Sequence, residues 1–154
     1  MANLESLFAN RIQGSQSSVV RDLLKYSKMP NIISIAGGIP AADMFDMEGI
    51  NAALKEVIDS NEVGAYQYST TDGEPELKAE IIKLVEDRGI QSSLDEIVVT
   101  SGSQQGLDLI SRTFLNEGDT ILVERPTYLA AIQSFKMSGA LVKDIEGGEK
   151  GLDV

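Results

Sequence analysis

Ile97-Val98-Val99-Thr100-Ser101-Gly102-Ser103-Gln104-Gln105-Gly106 is an apolar run, a hinge of small residues, and then the first turn of a helical pattern. It reads as a buried strand passing sharply into a helix. Such a junction leaves several backbone N–H groups without intrahelical acceptors at the positive end of a helix dipole. A phosphate fits that volume, and the Ser103 hydroxyl adds to the cradle. The loop is neither of the two commoner phosphate binders. No lysine follows its second glycine, as a Walker A loop requires, and Gly-x-x-x-Gly is not the Gly-x-Gly-x-x-Gly of dinucleotide sites. An ordinary strand-to-helix turn without a ligand has the same local pattern, so this stretch alone leaves both readings open.

The same rhythm continues downstream. Apolar runs at 97–99, 121–123 and 140–145 alternate with helical patterns at 103–116 (Leu107, Ile110, Phe114) and 127–138 (Leu129, Ile132, Phe135). This predicts an α/β fold with a β-α-β-α-β core and a parallel sheet. Its first two strands are continuously apolar, as strands covered on both faces are. Sites in such sheets gather at the carboxyl ends of strands, where 101–104 and 124–128 fall. Upstream, residues 16–27 read as a short helix with Val20, Leu23 and Leu24 on one face and Ser17 or Ser18 near its cap. Ile32-Ile33-Ser34-Ile35 is a short extended run. Asp46 caps a helix to Ser60 with Ile50, Leu54, Val57 and Ile58 inward. Pro75 opens a third helix, with Leu77, Ile81, Leu84 and Val85 on one face, that ends at Gly89. A three-stranded sheet with two helices leaves edges and a face uncovered, so the expectation is the N-terminal portion of a larger fold.

Composition narrows the chemistry. With 154 residues, 42% hydrophobic and 24% charged, the chain suits one soluble domain or part of one. A formal net charge of −11 argues against nucleic acid or an anionic membrane as partner. There is no cysteine and no histidine. Disulfides, zinc clusters, thiol nucleophiles, Ser-His-Asp catalysis and the commonest transition-metal ligand are thereby excluded, and no metal site is expected. Chemistry must come from lysine, tyrosine, carboxylates or a bound cofactor. No apolar run resembles a signal peptide or approaches a membrane span, so the expected location is cytoplasmic.

Four motifs, in order, carry a resemblance: Ile35-Ala36-Gly37-Gly38-Ile39-Pro40; Tyr66-Gln67-Tyr68 with Asp72-Gly73; Thr100 to Gly106; and Glu124-Arg125-Pro126-Thr127-Tyr128. With them the chain resembles the N-terminal part of fold-type I pyridoxal-5′-phosphate (PLP) enzymes, specifically class I/II aminotransferases. It is most similar to their aromatic amino acid, 2-aminoadipate and kynurenine-type branch. The resemblance implies a partial large domain of that fold type. Residues 1–45 would form an N-terminal helix and arm lining the substrate site, and 46–154 an incomplete N-terminal part of the PLP-binding large domain. It implies that Ser103 and Gln104 hold the PLP phosphate and that Tyr128 lies against the pyridine ring, beyond a strand ended by Pro126. Tyr68 would reach the phosphate or substrate of a partner subunit in a homodimer. Gly38 would let the backbone approach the substrate carboxylate, and Arg21 would stand near the substrate entrance. For Tyr128, Tyr68, Gly38 and Arg21, plain packing, turn or surface roles remain the alternatives.

The activity implied is transfer of an amino group between an amino acid and a 2-oxo acid. The family's Schiff-base lysine, its pyridine-facing aspartate and its carboxylate-binding arginine are expected downstream of this region. Lys25, Lys28, Lys55, Lys78, Lys83, Lys136, Lys143 and Lys150 are all expected at solvated surface, none in the Schiff-base position. The residues present thus include no catalytic lysine, and the chain alone is expected to be inactive. Two other readings stand beside this one: a non-catalytic aminotransferase-like domain of a transcriptional regulator that senses PLP or an amine, and a nucleotide-binding α/β module.

Overall fold

In chain order, the described helices are α1 (Asn10–Gln13), α2 (Met47–Ser60), α3 (Pro75–Glu86), α4 (Ser103–Phe114) and α5 (Leu129–Met137), and the strands are β1 (Thr120–Arg125), β2 (Leu141–Gly148) and β3 (Gly151–Leu152). They come from a computed structural model that describes residues 4–13, 25–26, 29–33, 35, 38–148 and 151–152. The helix expected over 16–27 and Arg21 therefore lie outside the described residues, Lys25 and Tyr26 excepted. The chain divides into two compact units, Gly38–Thr100 and Ser101–Val154 with Met1–Gly37.

In the second of these units β1 and β2 pair in parallel, Thr120 opposite Leu141 through Arg125 opposite Glu146, with α5 as the crossover. Parallel neighbours cannot be joined by a tight turn, so the crossover is obligatory. Helix α5 stops where the Ala140 N–H bonds Phe135 O (3.1 Å) and the Gly139 N–H bonds Lys136 O (3.0 Å). This pair of bonds satisfies carbonyls at the helix end. The Leu141 N–H then bonds Asp119 O at 2.8 Å, which sets the register at the first residue of β2.

The core is small: Val123, Ala131, Phe135 and Ala140, with Leu107, Leu115, Ile121 and Val142 packed against it. Side chains alternate across a strand, so Ile121 and Val123 share the covered face while Leu122 points the other way and is exposed. Leu141 is likewise exposed. Coverage on both faces is thus corrected to coverage on one, among the described residues. β3 pairs antiparallel with the end of β2, Gly147 opposite Leu152, a short hairpin the apolar pattern did not announce.

The strand expected at 97–100 is also corrected. Ile97 has extended dihedrals (φ −115°, ψ 131°), but residues 97–100 join no ladder among the described residues. A strand needs a neighbour to take its N–H and C=O groups. Here the Val99 N–H bonds the Asp72 carbonyl in a loop, at 2.9 Å.

In the Gly38–Thr100 unit, α2 begins as its sequence requires: the Asp46 carboxylate accepts the Gly49 N–H at 2.9 Å. Its apolar stripe is not inward, however, since Ile50, Leu54, Val57 and Ile58 are 44–60% exposed. A stripe says which face wants cover and not what supplies it. Helix α3 starts with Pro75 in its first turn, and Gly89 follows its last residues at a φ of +80°. Its covered face coincides with the expected one only at Ile81 and Val85. Leu77 and Leu84 are exposed, while Lys78 is 4% exposed, with Ile81, Ile82 and Val85 half-buried. Positions 78, 82 and 85 are neighbours on one helix face.

The Lys78 ammonium is ion-paired with Asp72. Among the described residues it is the one lysine of the surface group that the structure corrects to buried. The turn at Asp72 is closed by a bond from the Gly73 N–H to Thr70 O (3.2 Å) and from Thr70 Oγ1 to Gly73 O (2.6 Å). Gly73 has a φ of +110°, and a Cβ there would come within 2.4 Å of the Val99 side chain. Only glycine fits.

Two outcomes are expected. Phe135→Ala empties the centre of the core and lowers stability by roughly 3–5 kcal/mol in urea unfolding. The hydrogen bond from Lys78 holds the Asp72 carboxyl below its ordinary value. A depressed pKa contributes stability that is full above the unfolded value, about 3.9, and is lost as pH falls through the folded value. Stability measured from pH 6 down to pH 2 therefore falls less steeply in Asp72→Asn than in the parent chain.

Candidate functional site

Gly102 caps α4 in a conformation (φ 82°, ψ 170°) that turns the chain sharply, and no side chain caps the helix. The first i to i−4 bond of the helix runs from the Gly106 N–H to Gly102 O at 3.4 Å. The N–H groups of Ser103, Gln104 and Gln105 precede it, at the positive end of the dipole. Residues 101–105 are all exposed, so this end opens to solvent.

The side chains there are already divided in their duties. The Gln104 Nε2 donates to Ser134 Oγ at 2.8 Å, tying the first turn of α4 to α5. Ser134 is buried at 5% exposure. Gln105 Oε1 accepts the Ser101 N–H at 2.5 Å. Ser103 thus offers an N–H and a hydroxyl to an anion, whereas Gln104 offers its N–H and uses its amide to brace the helix. That division was not readable from sequence, because Gln104 and Ser134 stand 30 positions apart.

Tyr128 is the N-cap residue of α5, three residues beyond the end of β1, and is 60% exposed. Its carbonyl accepts the Ala131 N–H at 3.1 Å, so the backbone is fixed while the ring stays open. The Arg125–Pro126 peptide bond that leads to it is cis. A shallow concavity of about 410 Å³ lies under α5 beside β1, lined in part by Val123, Pro126, Ile132 and Lys136, with the Arg125–Asp144 ion pair. Tyr128 does not line it.

The remaining nominated residues belong to the Gly38–Thr100 unit. Gly38 has a φ of +57°, and no described atom lies within 4 Å of where its Cβ would stand. The left-handed backbone, and not crowding among these residues, asks for glycine. Tyr68 is 97% exposed, its N–H held by Gln67 Oε1 at 2.8 Å. Sequence reasoning missed the Lys78–Asp72 pair. The available signal was Lys78 standing on one helix face with Ile82 and Val85. No described helix is long and apolar enough to cross a membrane.

The family model of class I and II aminotransferases matches residues 38–150. Aromatic-amino-acid aminotransferase 1 of Thermococcus litoralis is 41% identical over 151 residues, covering 97% of this chain and 36% of that protein. The structure of Pyrococcus horikoshii kynurenine aminotransferase, in complex with PMP, superposes with a TM-score of 0.86 at 40% identity, covering 99% of this chain and 38% of that one. The α-aminoadipate aminotransferase LysN of Thermus thermophilus, complexed with N-(5′-phosphopyridoxyl)-L-leucine, gives a TM-score of 0.80 at 35% identity, covering 97% and 36%. The chain spans little more than a third of the length of these relatives. By the matched span and by these identities, the chain belongs to the class I and II aminotransferase family.

Proposed function

We propose that these residues are the N-terminal part of a PLP-dependent aminotransferase that moves an amino group between an amino acid and a 2-oxo acid. The observation that carries this reading is the open N-terminus of α4 at Gly102–Gln104, in a chain of this family. A doubly charged phosphate fits N–H donors and a hydroxyl at a helix start, and there is no side-chain cap to displace. When bound, PLP supplies the electron sink for charge developing at the substrate Cα.

The chain's own residues bind and orient. Ser103 holds the phosphate through N–H and hydroxyl, and Gln104 through its N–H. The exposed ring of Tyr128 stacks on the pyridine. Tyr68 serves the site of a partner subunit in a homodimer, for which its almost complete exposure leaves it available. Gly38 admits the substrate carboxylate, Arg21 stands at the entrance, and residues 1–45 line the substrate site, with 46–154 as the cofactor-binding part. The protein works in the cytoplasm. The open face of the β1–β2 sheet is covered in the full-length protein.

In the full-length protein, Ser103→Ala removes one charge-assisted bond and leaves the backbone donors. The expected loss of PLP affinity is roughly 1.5–3 kcal/mol, read by titrating the visible cofactor band. Unchanged affinity removes the phosphate reading.

The 154-residue chain alone has no lysine in the Schiff-base position. With PLP, an aromatic or acidic amino acid and 2-oxoglutarate, it is expected to form no keto acid above the rate of free PLP. Saturable turnover by this chain assigns catalysis to one of its own lysines. A full-length protein that binds PLP and an amine but never transfers an amino group favours the sensor reading.

A further inference from the structure

Lys78 is a buried cation that the phosphate, ring and carboxylate roles proposed above leave unused. Its side chain is 5% exposed, and its Nζ meets the Asp72 carboxylate, itself 52% exposed. Burying an ammonium is costly unless it is paired, and apolar residues of similar size often stabilise as well or better. The pair therefore calls for a purpose beyond stability, and its position supplies one.

Asp72 is held at two points: its carboxylate by Lys78, and its carbonyl by the Val99 N–H at 2.9 Å. The turn around it is closed by the Thr70 and Gly73 bonds, and the Val99 side chain stands where a Cβ on Gly73 would be. Upstream, the Val63–Tyr66 helical turn is closed by the Gln67 N–H on Gly64 O at 3.1 Å. Tyr68 sits on the short bridge between these two anchored turns. Tyr68 is 97% exposed, so neighbouring side chains do little to aim it, and the direction of the ring is set by the backbone that carries it.

We propose that Lys78 is a positioning residue: through Asp72 it locks the Thr70–Gly73 turn and so aims Tyr68 outward, toward the phosphate of a partner subunit's cofactor. The aiming stands on the geometry above. Its destination rests on the reading of Tyr68 under Proposed function, and the test separates the two.

The full-length protein, labelled with 3-fluorotyrosine, is compared with Lys78→Met, which keeps the buried stem, and with Asp72→Asn, which changes only the half-exposed partner. The chain has four tyrosines, so the Tyr68 fluorine signal is assigned by its loss in Tyr68→Phe. In both variants the Tyr68 signal is expected to shift or broaden while that of Tyr128 stays. PLP affinity is expected to fall by roughly 10-fold or more, as in Tyr68→Phe. It should fall no further when either variant is combined with Tyr68→Phe, since the two changes remove one interaction.

An unmoved Tyr68 signal in the variants that fold overturns the proposal. So does an equal further loss of affinity in the Tyr68→Phe background, which marks a general structural defect. If Tyr68→Phe leaves PLP affinity unchanged while the Tyr68 signal still moves in Lys78→Met or Asp72→Asn, the aiming stands and the phosphate as its destination falls.

Discussion

Two parallel strands cannot be joined by a hairpin, and that constraint organises the Ser101–Val154 part of this protein. The chain must leave β1, cross over the sheet and return, and α5 is the crossover. Its Phe135 and Ala131 meet Val123 on the one covered face of the sheet. The end of α5 then fixes the start of β2, through the hydrogen bonds at Gly139, Ala140 and Leu141. The same crossover places Tyr128 at its head and Ser134 within reach of Gln104. Packing, register, the place of Tyr128 and the bracing of Gln104 are thus consequences of one connection.

The candidate phosphate site illustrates how a site is built from what a helix lacks. Nothing in the first turn of α4 carries a positive charge, and the net charge of the chain is −11. What the turn offers is direction: N–H groups aligned by the helix, a glycine that starts it abruptly, and a glutamine whose side chain is spent on holding the helix in place. Fixed dipoles need no reorganisation when an anion arrives. In the Gly38–Thr100 unit the same economy recurs, where a buried lysine fixes a turn and leaves the neighbouring tyrosine free.

Local signals were legible where the chemistry is local. Asp46 caps α2, Pro75 opens α3, Arg125 ends β1 before Pro126, and the glycine-serine hinge opens α4, each at the residue its type suggests. Misreadings occurred where one residue's state depends on a distant one. Val98 and Val99 look like strand residues because they are β-branched and apolar, yet no neighbouring strand pairs them among the described residues. Lys78 looks like a surface lysine until Asp72 is placed beside it.

Sequence by itself determined helices α2 to α5 and strands β1 and β2 in their order, the parallel pairing of β1 with β2 implied by a helix between them, the family, and the abrupt helix start at Gly102. These follow from periodicity, capping and turn chemistry, which act over a few residues, and from motif order. Only the tertiary structure decided which face of each element is covered, which polar side chains are spent on bracing, and which lysine is buried. Those outcomes depend on contacts between residues far apart in the chain, Gln104 with Ser134 and Asp72 with Val99 among them, whose free energy exists only once the chain has folded.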